Sequence, residues 1–331
     1  MEKIVDHIDH AVWLSSPENL SANVEMLEVM ANTKLVRFER EDMGFIMYIS
    51  WAAGIELVCP MEHPTEFNEM LRAQLAKRGE GLMGVVFGVN SLDGHAKRLA
   101  SEGVAVGPLM DDHVDSPWHQ DLKLQERLAG EVMNSWFILG DIDYKPGTIN
   151  FVDAKNPHDS HLPHSKLKKF VNHVDHVVWL SRPENLEANV AKIEQLSGVK
   201  LERCDRSDLG VVLYLSWEAG LEVIAPFGEE TEYNVQLNLG LQFLGEGILG
   251  VVYGVDHIED QEPRLKAVGQ ELGIELLDDP NSPWRHKLLV RERTGPIVMN
   301  GSFMFGDVRY PEGMVKFQGS VNSESVDSVS A

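Results

Sequence analysis

Apolar and polar positions alternate from His7 to Leu14 and then change period. The alternation predicts a strand, and Ser16-Pro17-Glu18-Asn19 after it signals a helix start, with Leu20, Val24, Leu27 and Met30 recurring at helical spacing. Strand candidates follow at 34–38, 44–50 and 54–59, completing one β-α-β-β-β unit. After a helical stretch at 66–77 the order begins again, with a strand at 83–89 and a helix at 91–101 that ends at Gly103. Further strands are predicted near 104–106, 122–128 and 131–139.

The whole pattern then repeats. A shift of 166 residues lays the two halves over one another without a gap from His7 to Tyr144, so that His10-Ala-Val-Trp-Leu14 falls on His176-Val-Val-Trp-Leu180. Ser50-Trp51, Gly54 and Glu56 fall on Ser216-Trp217, Gly220 and Glu222. Ser116-Pro-Trp118 falls on Ser282-Pro-Trp284, and Gly79-Glu-Gly81 on Gly245-Glu-Gly247. Chance does not hold one register over so many rare residue types, so the chain is a tandem duplication. Residues 1–144 and 171–312 are read as two-module domains, 145–170 as a linker, and 313–331 as a disordered polar tail. The linker histidines His158, His161 and His164 are irregularly spaced and read as loop decoration rather than metal ligands. Four βαβββ units imply an α+β class, built from curved mixed β-sheets whose concave faces enclose a ligand.

Composition narrows the partners. Acidic residues outnumber basic ones by 52 to 29, a net charge of -23 that repels nucleic-acid backbones and anionic membranes. No apolar run spans a bilayer, and MEKIVDHIDH lacks the basic-then-apolar order of a secretory leader, which makes cytoplasm the expected compartment. Cys59 and Cys204, the two cysteines, do not match in the repeat, so no disulfide framework is expected. A small-molecule substrate and a possible homodimer are the partners expected.

Ile8-Asp9-His10-Ala11-Val12 and Val174-Asp175-His176-Val177-Val178 resemble the opening strand of vicinal oxygen chelate modules, where an Asp-His pair precedes an apolar run. Gly54-Ile-Glu56-Leu57 and Gly220-Leu-Glu222-Val223 resemble the closing strand, which carries a glutamate ligand. The resemblance to this superfamily of glyoxalases, bleomycin-resistance proteins and extradiol dioxygenases covers all but linker and tail. It implies a divalent metal in each cup, Fe(II) first and Mn(II), Zn(II) or Ni(II) as alternatives, or none where the cup takes an organic ligand alone. It assigns His10, Glu56, His176 and Glu222 as metal ligands, with Glu56 and Glu222 also placed to handle a proton.

The strands opening the second and fourth units carry Gly84-Val-Val-Phe-Gly88 and Gly250-Val-Val-Tyr-Gly254, with no ligand there. Three completions stay open: Glu126 and Glu292 as third ligands, one shared site of His10, Glu56, His176 and Glu222, or a metal-free cup. Glu126 and Glu292 precede Arg127 and Arg293, and a solvated strand face weighs slightly more for them than ligation. Trp51, Trp217, Trp118 and Trp284 read as core or rim aromatics that can line a substrate pocket. His7 and His173 have the opposite strand parity and read as surface or supporting residues; His119 faces Arg285 across the repeat, and Tyr253 and His286 stand weakly in for catalytic groups of the last module. The expected function is a metal-dependent, extradiol-dioxygenase-like enzyme acting on a small aromatic or hydrophobic oxygenated substrate. A glyoxalase-type lyase or isomerase and a non-catalytic binding protein are the alternatives.

Overall fold

The structure is a computed structural model that describes residues 1–155, 162, 166–277 and 282–319. In the first half the elements are β1 (Glu2–Val5), β2 (His7–Leu14), α1 (Leu20–Ala31), β3 (Val36–Arg40), β4 (Phe45–Ser50) and β5 (Ile55–Pro60), then α2 (Glu66–Arg78), β6 (Gly81–Gly88), α3 (Leu92–Ser101), β7 (Leu109–Asp111), β8 (Leu122–Val132), β9 (Ser135–Tyr144) and β10 (Phe151–Ala154). The second half repeats them as β11 (Leu167–Phe170), β12 (His173–Leu180), α4 (Leu186–Ser197), β13 (Glu202–Arg206), β14 (Val211–Ser216), β15 (Leu221–Pro226), α5 (Glu232–Phe243) and β16 (Gly247–Gly254). It closes with α6 (Gln261–Lys266), β17 (Glu275–Leu277), β18 (Arg291–Arg293), β19 (Ile297–Val298), β20 (Gly301–Gly306), β21 (Tyr310–Pro311) and β22 (Lys316–Gly319).

Each half forms one mixed sheet. The order in the first is β22-β1-β9-β6-β2-β5-β4-β3, with β8 on β9, and in the second β13-β14-β15-β12-β16-β20-β18-β17. The two modules of a half join where β2 meets β6, or β12 meets β16, antiparallel. Helix ends follow local chemistry: the Thr65 and Thr231 side chains accept from the N–H of Asn68 and Asn234, capping α2 and α5. Helix α1 stops at Asn32, which takes the left-handed conformation at φ 50°.

Four expectations change. No strand forms at 104–106; the second strand of that module is β7 at Leu109–Asp111. The predicted break near 129–130 is a bulge at Gly130, and the hairpin turns at Met133-Asn134, both at positive φ. The stretch read as linker contributes β10 and β11, which pair antiparallel, and β22 lies within the stretch read as tail. The histidines His158, His161 and His164 lie outside the described residues, as does 320–331.

These extra strands carry the duplication further than the sequence alignment does. β22, at the end of the second half, pairs with β1 of the first, while β10, at the end of the first, pairs with β11 of the second. The halves therefore exchange their last strands. Helix ends are exchanged too: Arg98 donates to the carbonyls of Gln195 and Leu196 at the end of α4, and Arg264 to those of Val29 and Met30 at the end of α1. One apolar core that includes Trp13, Leu27 and Phe137 with Trp179, Ile193 and Phe303 runs across the junction.

Candidate metal centre

Each sheet curls until its outer strands face one another. In strand order β8 lies three places from β2, roughly 14 Å away if the sheet were flat. Yet Glu126 Oε1 on β8 comes within 3.7 Å of His10 Nε2 on β2, and Glu56 Oε2 on the neighbouring β5 within 3.3 Å. The second half repeats the arrangement, with His176 Nε2 3.6 Å from both Glu222 Oε2 and Glu292 Oε1. All six side chains are buried or nearly so.

Register explains the meeting. Val12 pairs with Glu56 and Val178 with Glu222, so each glutamate sits one pleat along from its histidine on the same face. Glu126 lies opposite Gly140 and Glu292 opposite Gly306. On β8, Leu124, Glu126 and Leu128 turn into the cup. Glu126 and Glu292 are thus inside, not on the solvated face that their neighbouring arginines suggest.

A second layer fixes the histidines. Asp9 Oδ1 lies 2.8 Å from His10 Nδ1 and also accepts from the Tyr144 hydroxyl; Asp175 Oδ1 lies 2.8 Å from His176 Nδ1 and accepts from Tyr310 at 2.7 Å. With Nδ1 hydrogen-bonded to aspartate, Nε2 faces the glutamates, the arrangement that orients metal-binding imidazoles. Tyr144 and Tyr310 were not singled out in the sequence, although they coincide under the shift of 166. Nor were Arg40 and Arg206, which stand at the cup mouths, Arg40 held by both oxygens of Asp42.

The electrostatics of the cups are compatible with a bound cation. Burial alone would lower the pKa of His10, but the hydrogen-bonded Asp9 and the nearby Glu56 raise it to about 10. For His176 burial is likewise overcome by Glu292, Asp175 and Glu222, which raise it to about 9. Burial, with neighbouring carboxylates, raises Glu126 to about 8 and Glu292 to about 7, and burial raises Glu222 as well. Each cup thus holds more carboxylate than its one imidazole balances, an excess that either proton uptake or a bound cation relieves.

The donor set fits a divalent ion. His10 Nε2, Glu126 Oε1, His176 Nε2 and Glu292 Oε1 are buried without a hydrogen-bond partner, an expensive state unless something binds there. Among the described residues no three such groups already close around one point as a finished cage. Ligands about 2.1 Å from one ion, however, lie about 3.0 Å apart at right angles and about 3.4 Å at the tetrahedral angle. The separations of 3.3 and 3.7 Å need little adjustment to meet that.

The remaining candidates separate sharply. Trp51 meets His10 edge-on at 5.5 Å and Trp118 at 5.6 Å, and Trp217 does the same with His176 at 5.2 Å and Trp284 at 5.9 Å; all four line the cups. His10, Glu56, His176 and Glu222 do not form one shared cluster, because each histidine meets glutamates of its own half. Tyr253 lies in the core with its hydroxyl on the Ala31 carbonyl, and His286 is exposed. His119 is exposed and hydrogen-bonded to Asp112.

His7 and His173 are not at the surface. Both are buried at the junction of the halves, His7 between the carbonyls of Glu218 and Asp175 and His173 against that of Ala52. Gly54 and Gly220 leave room for them: a Cβ at Gly54 would lie 2.8 Å from His173, and one at Gly220 3.0 Å from His7. A single repeat read alone cannot show a face that its own copy buries.

The fold that carries this constellation has counterparts among solved structures. No protein-family model matches the sequence, and no curated protein does. Among solved structures the chain is similar to a mutant of 4-hydroxymandelate synthase from Streptomyces coelicolor, with 12% identity, TM-score 0.55 and 94% of each chain covered. It is also similar to 2,2',3-trihydroxybiphenyl 1,2-dioxygenase from Sphingomonas wittichii strain RW1, with 11% identity, TM-score 0.55, and 93% of this chain and 92% of that one covered. A third is BphC, a halotolerant catechol dioxygenase, with 10% identity, TM-score 0.51, and 94% of this chain and 90% of that one covered. The chain therefore shares the overall fold of these solved structures along nearly its whole length.

Proposed function

We propose that each cup holds one divalent metal ion, on His10, Glu56 and Glu126 in the first half and on His176, Glu222 and Glu292 in the second. The chain is then a dioxygenase for small, largely apolar aromatic molecules that carry two adjacent oxygens. The observation that carries this reading is the pair of buried, partnerless atoms, a histidine Nε2 and a glutamate Oε1, that face each other in each half.

A bound divalent ion supplies Lewis-acid chelation of two neighbouring oxygens, and Fe(II) adds the capacity to bind O2. The protein does the rest. Asp9 and Asp175 hold the imidazoles in register, while the tryptophan edges and the apolar walls exclude water and fit a flat ring. Solved structures of similar fold named as catechol and trihydroxybiphenyl dioxygenases support an oxygenated aromatic as substrate. A glyoxalase-type lyase or isomerase is the second reading, favoured by Glu126 and Glu292, whose raised pKa values suit a carboxyl that takes and returns a proton near neutrality.

The test is metal analysis followed by oxygen uptake. The full chain, loaded anaerobically with Fe(II), is expected to hold close to two equivalents and to consume oxygen with catechols or hydroquinones. Metal below about 0.2 equivalents after reconstitution overturns both enzymatic readings and leaves a binding protein. Full metal without oxygen uptake favours the lyase.

A further inference from the structure

The cups share their histidine and glutamates but not their far walls. In the first, Phe67 packs on Phe45 at 5.2 Å and on Trp136 at 5.9 Å, an unbroken aromatic face. The shift of 166 places Tyr233, Val211 and Ser302 at those positions in the second half. Tyr233 lines the second cup together with Glu222 and Glu292. Where the first cup offers the ring of Phe67, the second offers a hydroxyl that can donate to a ligand oxygen.

We propose that the two cups select different substrates: the first a dioxygenated ring bearing an apolar aryl group, the second a dioxygenated ring with one further oxygen, which Tyr233 binds. This rests on the metal-cup reading above. It makes Tyr233 and the pair Phe67 and Trp136 specificity-determining residues, and it gives the duplication a purpose other than doubling one activity.

The probes are 3-phenylcatechol and pyrogallol, titrated calorimetrically under argon into the metal-loaded full chain, with His176→Ala and His10→Ala isolating the first and second cups. Tyr233→Phe is expected to weaken pyrogallol in the second cup roughly 5-fold and leave 3-phenylcatechol unchanged, while Phe67→Tyr strengthens pyrogallol in the first by a similar factor. Trp136→Ser is expected to weaken 3-phenylcatechol in the first cup roughly 10-fold. Should the single-cup variants fail to fold, the wild-type chain still answers, because each probe must then titrate in two phases of unequal affinity. Equal affinities in both cups, no effect of Tyr233→Phe, or no binding of either probe overturns the proposal. Equal binding with both cups metal-loaded sinks only this inference, whereas a chain that holds no metal sinks the reading beneath it.

Discussion

The strand that carries the third acidic group differs more between the halves than the group itself. In the first half β8 runs for 11 residues, and its ladder with β9 extends from Leu122 to Val132. In the second, β18 is 3 residues long and meets β20 only at Glu292 and Arg293. Nonetheless Glu126 and Glu292 reach their histidines at 3.7 and 3.6 Å. Both copies keep the register of the glutamate against a glycine, Gly140 or Gly306, and of the next arginine against Leu139 or Phe305. The approach of glutamate to histidine therefore does not need the long unbroken ladder of the first half.

Substitutions made in parallel in the two halves probe this equivalence. The largest effect is expected from the histidines. His10→Ala and His176→Ala should each remove one metal equivalent of two and together remove both, read by elemental analysis, with circular dichroism unchanged. A single substitution that empties both cups would show the halves to be coupled rather than parallel. Next come the supporting carboxylates: Asp9→Asn and Asp175→Asn are expected to weaken metal binding in their own cup roughly 10- to 100-fold, measured by competition with a chelator. Full affinity in either variant would deny the aspartate its orienting role in that half.

The smallest effect concerns the junction. Burial lowers the pKa of His7 and brings that of His173 from 6.5 to about 4, so His173 is neutral in the folded chain near neutral pH. A depressed pKa contributes stability that is present above pH 6.5 and lost as pH falls toward 4. Melting temperature should therefore drop by a few degrees between pH 6.5 and 4.5, and His173→Gln should start lower but fall less steeply. Parallel slopes for the two proteins would remove His173 as the cause.

Much of this was legible in the sequence because duplication prints every important residue twice. The register of 166 singled out His10 and Glu56, and strand parity placed Glu126 on the face of Leu122 and Leu124. That parity could not decide whether the face was wet, since the answer depends on how far the sheet curls. Tyr144 and Tyr310 repeat as faithfully, but their use is visible only once β9 and β21 bring them beneath the aspartates. His7 misled because its partner is the other copy: an alternating strand reveals two faces and not what covers them. The turn at Met133-Asn134 was missed because Gly130 nearby offers the stronger breaker signal and is spent on a bulge.

The exchanged strands β10 and β22 set how the molecule can be cut and rejoined. Residues 2–5 and 316–319 are antiparallel neighbours, so a short bridge between them with an opening between residues 155 and 166 would yield a permuted chain with every ladder intact. Conversely, either half made alone would lack the strand that covers its first edge and would carry a spare one. Two copies of that half could satisfy each other, so an isolated repeat should assemble as a symmetric pair rather than persist as a single unit.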